Sequence, residues 1–163
     1  MSTTQVKRIV VGAGAALTAL ALVSSGADAA GCKSVSGKIA LTEASGEECE
    51  SPVALCWDAG FGGNLAGEGR FTARSLTATA DTPTTAVLVG TGDTRLTAKG
   101  GTLLTKDAVL LRTAGPGDLA AILTISGGTG DFAGATGSLR VEGTYLVGSG
   151  GAGSYRGEVC EPP

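Results

Sequence analysis

The stretch Ile125-Ser126-Gly127-Gly128-Thr129-Gly130-Asp131-Phe132-Ala133-Gly134-Ala135-Thr136-Gly137-Ser138-Leu139 constrains this chain more than any other. It sets five glycines between two segments that alternate apolar and polar residues. Glycine takes φ > 0 at little steric cost, so the chain can reverse sharply here. Phe132 is the one large apolar side chain of the turn and reads as its anchor to a core. Before the turn, Leu119, Ala121, Leu123 and Ile125 share one face; after it, Leu139, Val141 and Tyr145 do the same. That is the period-two pattern of half-buried strands.

The same alternation runs through the rest of the chain. Val35, Gly37, Ile39 and Leu41 define the inner face of a first strand. Residues 58–67 are glycine-rich and read as a loop. Residues 69–80 alternate Phe71, Ala73, Ser75 and Thr77 against Thr72, Arg74, Leu76 and Ala78, until Pro83 ends the strand. Residues 85–99 follow, with a bend expected at Gly90 or Gly92. Gly100-Gly101 turns into a strand over 102–106, and residues 107–113 read as a further strand. Ala114-Gly115-Pro116-Gly117 is a strong turn signal, and residues 154–160 form the last strand. The 28 glycines are interspersed with alternating segments rather than gathered in Gly/Ser repeats, so they mark turns and not a flexible linker. Short strands with glycine turns and no sustained helical period point to a sandwich or a barrel.

The run I-S-G-G-T-G-x-F-x-G-A-T-G-x-L resembles the turn motif of the allene oxide cyclase and dirigent proteins, and of secreted bacterial proteins that look like them. The resemblance extends over roughly residues 87–145. It implies an all-β domain over residues 30–163, folded as a single closed antiparallel barrel of about eight strands. Four cysteines remain after the first thirty residues: Cys32, Cys49, Cys56 and Cys160. An even count in an exported chain favours two disulfides, with three connectivities open. If the barrel closes, its first and last strands are neighbours, so Cys32 can meet Cys160. Cys49 and Cys56 then close a short loop around Ser51-Pro52.

Residues 1–29 read as a signal peptide, which places the protein in the secreted or periplasmic space. Lys7 and Arg8 precede the apolar run from Ile9 to Val23, and Ala27-Asp28-Ala29 fits the small-x-small cleavage rule. The run is shorter than the roughly 18 residues a membrane-spanning helix needs, so no retained span is expected. Ala29-Ala30-Gly31-Cys32 loosely resembles a lipidation site, but Asp28 and the missing leucine favour cleavage after Ala29.

Composition excludes much chemistry. The chain has no histidine, hence no Ser-His-Asp or Cys-His arrangement and no imidazole to shuttle protons near neutral pH. With neither histidine nor a C-x-x-C pair, metal is not expected. Gly128-Thr129-Gly130-Asp131-Phe132-Ala133 matches a loose dinucleotide pattern, but Gly134 and Gly137 would break the helix that pattern needs. No cofactor is expected. Twelve basic against fifteen acidic residues, with no basic run, argues against nucleic acid.

Acid–base work therefore falls to Asp, Glu or Tyr made unusual by burial. Asp107, Arg112, Glu142 and Tyr145 are the candidates. One reading makes Asp107 a turn residue and pairs Arg140 with Glu142 in solvent. The other places Asp107, Arg112 or Glu142 in the lumen as polar contacts of an apolar pocket, beside the phenol of Tyr145. Trp57, next to Cys56, is expected to pack on the loop disulfide.

Two function classes follow. The resemblance implies a barrel that binds a small apolar metabolite and steers its cyclisation or isomerisation by positioning. The alternative is a non-catalytic secreted or envelope-associated module, open to self-association, whose lumen is filled by its own side chains.

Overall fold

Period-two alternation decides which side chains fill the interior, and the strands follow from it. The computed structural model describes residues 31–44, 49–79 and 86–162. The expected signal peptide over residues 1–29 and its expected cleavage site lie outside the described residues. Eight strands form: β1 (Cys32–Ala44), β2 (Cys56–Phe61), β3 (Gly67–Ala78), β4 (Val87–Ala98), β5 (Gly101–Arg112), β6 (Gly117–Gly128), β7 (Thr136–Leu146) and β8 (Gly150–Cys160). Each pairs antiparallel with its sequence neighbours, and β8 returns to β1 to close a barrel.

Two strands differ from expectation. Residues 58–67 are not one loop, because Trp57, Ala59 and Phe61 project inward from β2. Glycines at 60, 62 and 63 had masked that short alternation. The two strands expected over 102–106 and 107–113 are one, β5. Lys106 and Asp107 look like a charged break in sequence, yet alternation sends Lys106 outward and Asp107 inward. In β3 a bulge at Ala73/Ser75 turns both Arg74 and Ser75 outward and restores Leu76 to the inner side.

Both expected disulfides form. Cys32–Cys160 spans a sequence separation of 128 and fastens the β1–β8 seam, while Cys49–Cys56 spans 7.

One end of the barrel is plugged. The 3-10 turn Gly63–Leu65, between β2 and β3, inserts Leu65 into the core. Tyr155, buried on β8, donates its hydroxyl to the Gly62 carbonyl at 2.7 Å and accepts the Leu65 N–H at 2.8 Å. Gly37 makes this seating possible, since a Cβ there would lie 1.9 Å from the Gly62 oxygen.

The glycine-rich turn between β6 and β7 is held differently from its sequence reading. Gly130 and Gly134 take φ of 60° and 71°, as a sharp reversal demands. Phe132, however, is only half-buried, and the residue sunk in the core is Ala135, at 1% exposure. Backbone bonds fasten the turn to the β4–β5 hairpin: Thr129 N–H to Thr102 O at 2.8 Å and Asp131 N–H to Gly100 O at 2.9 Å. Phe132 therefore adds apolar contact to a turn already stitched by its main chain.

Candidate functional site

Asp107 is the one buried charged residue among the described residues, with 5% of its surface exposed. It stands mid-strand on β5, between inward-facing Thr105 and Val109. Thr94 on β4 lies directly across from Thr105. The Thr94 and Thr105 hydroxyls each donate to a different carboxylate oxygen of Asp107, both at 2.5 Å. Burial pushes the Asp107 carboxyl up from 3.8 to about 6, against the opposing pull of the Thr105 and Thr94 hydrogen bonds. At that value the group passes between proton donor and acceptor near ambient pH.

Around this carboxyl the lumen is apolar. A cavity of about 40 Å³ runs beside it, lined by Trp57, Phe61, Phe71, Val109 and Val141 as well as Thr94 and Asp107. The ring of Phe71 lies over Gly92, which pairs with Asp107 across β4–β5. A Cβ at Gly92 would come within 2.3 Å of that ring. Phe71 in turn stacks on Trp57, centroids 5.0 Å apart, and Trp57 packs on Tyr145 at 4.9 Å. This file of three rings leads from Asp107 to the end of the barrel opposite the plug. Sites for drug-sized ligands occupy roughly 300–1,000 Å³. With the rings as they stand, the lumen accepts water or a molecule of a few heavy atoms.

The sequence candidates separate cleanly. Asp107 and Tyr145 are brought to the interior. Arg112 and Glu142 are on the outer wall, so the lumen reading is corrected for both and the solvent pairing of Arg140 with Glu142 holds, whereas Asp107 is a strand residue and not a turn residue. Inward positions of β5 are odd-numbered through Leu111, which turns Arg112 out to pair with Asp118 at 2.9 Å. On β7, Leu139, Val141 and Tyr145 face in, and Glu142 meets Arg156 at 3.5 Å and Arg140 at 3.7 Å in solvent. Trp57 is also corrected: it lines the lumen at 3% exposure rather than covering the disulfide. Alternation could have shown this, because Trp57, Ala59 and Phe61 share a parity.

Thr94 and Thr105 were missed. Threonine in a strand carries no signal of its own, and only the β4–β5 register shows that both reach one carboxylate. The one trio of potential metal-ligand atoms among the described residues is Cys32, Glu158 and Cys160, whose two sulfurs are bonded to each other. Comparison with known proteins finds no matching family model, no similar curated protein and no similar solved structure.

Proposed function

We propose that this is an exported barrel of the allene oxide cyclase and dirigent kind that binds a small apolar metabolite in its lumen. The observation that carries the reading is Asp107, a carboxyl embedded among aromatic and aliphatic side chains. A barrel built only to hold its shape gains nothing from such a group, since burying a carboxylate costs several kcal/mol. Apolar walls with one polar contact suit a molecule that needs orienting rather than breaking. Binding of a metabolite larger than a few heavy atoms requires the Phe71 and Trp57 rings to swing aside. Any cyclisation or isomerisation would rest on positioning, with Asp107 as the proton donor below about pH 6. The test is solvent extraction and mass spectrometry of the purified protein, followed by titration of the extracted compound against the fluorescence of Trp57, the sole tryptophan. Stoichiometric recovery of one apolar compound that quenches Trp57 supports the reading. An empty protein whose fluorescence responds to no extract sinks it.

The alternative, a self-associating module, has its own observation. Val89, Leu110 and Ile122 are each 43% exposed on the outer wall of β4, β5 and β6. Val89 pairs with Leu110, and Ile122 pairs with Ala108 on the same strand as Leu110, so the three form one apolar stripe. If sedimentation finds an oligomer that Ile122→Glu dissolves, while the lumen stays empty, this reading displaces the first.

A further inference from the structure

The end of the lumen opposite the plug holds two polar atoms that the lumen reading has not used. Trp57 Nε1 and Tyr145 Oη are buried, and among the described residues neither has a hydrogen-bond partner. Their residues are 3% and 2% exposed, and their rings touch. Leaving a buried donor unmade costs about 1–3 kcal/mol, so two side by side need a reason. Phenylalanine at either position would keep the ring packing without that cost.

From this juxtaposition we infer that Trp57 and Tyr145 form the outer polar end of the lumen site and select a ligand bearing a hydrogen-bond acceptor there, a carbonyl or ether oxygen. The inference rests on the lumen reading and adds the chemistry of the ligand's second end. An indole N–H can only donate. The Tyr145 hydroxyl stays protonated, because burial and then the nearby Glu43 charge raise its pKa. Glu43, at the same end of the barrel, accepts the Gly148 N–H of the β7–β8 turn at 2.9 Å. Neither donor meets a partner within hydrogen-bond distance among the described residues, Trp57 lines the cavity, and Asp107, already accepting two threonine hydroxyls, stands one ring farther in. The ligand class is a short apolar body whose oxygen lies at the Trp57–Tyr145 end.

Trp57 supplies the reporter, since the single indole N–H gives one isolated proton–nitrogen resonance. Cyclopentanone and methylenecyclopentane, alike in shape and differing in the carbonyl oxygen, are titrated into the nitrogen-15-labelled protein. The ketone should move the indole proton downfield and bind about tenfold tighter than the hydrocarbon, the worth of one satisfied buried hydrogen bond. Tyr145→Phe should cut the preference to about threefold or less, and Arg112→Ala on the outer wall should leave it at tenfold. Equal binding of the two probes overturns the inference while the lumen reading stands, and means that these donors serve water only. A full preference in Tyr145→Phe overturns it as well. If neither probe binds, the inference is overturned, and the lumen reading is decided by the extraction experiment.

Discussion

Replacing Asp107 by asparagine isolates the energetic consequence of burying a carboxyl in this barrel. In the folded chain its pKa stands at about 6 against an ordinary 3.8. The folded state therefore binds more protons than the unfolded chain between those values, and stability must fall as pH rises through that window. The size follows from the same two values: at about 1.4 kcal/mol for each pH unit, the loss amounts to roughly 3 kcal/mol and is complete above about pH 6 to 7. Asparagine keeps the shape. Its carbonyl can accept one threonine hydroxyl and its amide can donate to the other. The measurement is a pair of denaturant melts, wild type and Asp107→Asn, from pH 3.5 to 8 with disulfides intact. The difference between the two proteins cancels the titrating groups that do not interact with Asp107; Asp93, whose pKa is lowered chiefly by its hydrogen bond to Lys106, acts with the opposite sign and is one of the smaller causes of the Asp107 shift. Asp107→Asn should gain on wild type steadily as pH rises, by roughly 3 kcal/mol in all. A difference that is flat with pH, or that moves toward wild type, refutes the burial argument.

Other substitutions probe the frame around this site. Gly92→Ala should cost about 1–3 kcal/mol by overpacking, because its Cβ meets the Phe71 ring at 2.3 Å and the Thr72 carbonyl at 2.6 Å; an unchanged melt would mean that Phe71 does not rest there. Losing Cys32–Cys160 through the double serine variant should cost about 5 kcal/mol, and losing Cys49–Cys56 only about half as much, from the chain lengths they close. Equal losses would contradict that ordering. Phe132→Ala should cost about 2 kcal/mol, below the 3–5 typical of a fully buried aromatic, since Phe132 is half-buried on the core. A loss near 5 kcal/mol would make it the principal anchor after all.

The strands were legible because alternation and glycine turns survive in the sequence, but these left a sandwich open; the resemblance chose the barrel, and the Cys32–Cys160 pairing followed from closure. The strand count, though, rests on two errors that offset each other: local composition reads β2 as loop and β5 as two strands. Both arose where local composition outweighed parity, glycine around Phe61 and charge at Lys106-Asp107. Parity also explains which candidates reached the lumen. Asp107 and Tyr145 share the odd positions of their apolar neighbours, and Arg112 and Glu142 do not. What no reading of one strand could supply is the cross-strand register. It puts Thr94 beside Thr105 and stacks Phe71 over Gly92, and so makes a carboxyl in an aromatic slot from residues far apart in sequence.

The closing seam has a consequence for how the chain is made. Synthesis delivers β1 first and its partner β8 last, whereas every other pairing joins strands adjacent in sequence. Until closure, β1 and then β8 each present an unpaired edge, the feature by which nascent β-proteins recruit one another. These strands are poorly suited to attract a stranger. β1 carries exposed Lys33 and Lys38, and β8 spends four of its eleven residues on glycine and adds exposed Arg156 and Glu158. Charge and glycine both weaken casual strand pairing. The strands that wait longest for each other are guarded by composition until the Cys32–Cys160 bond makes their union permanent.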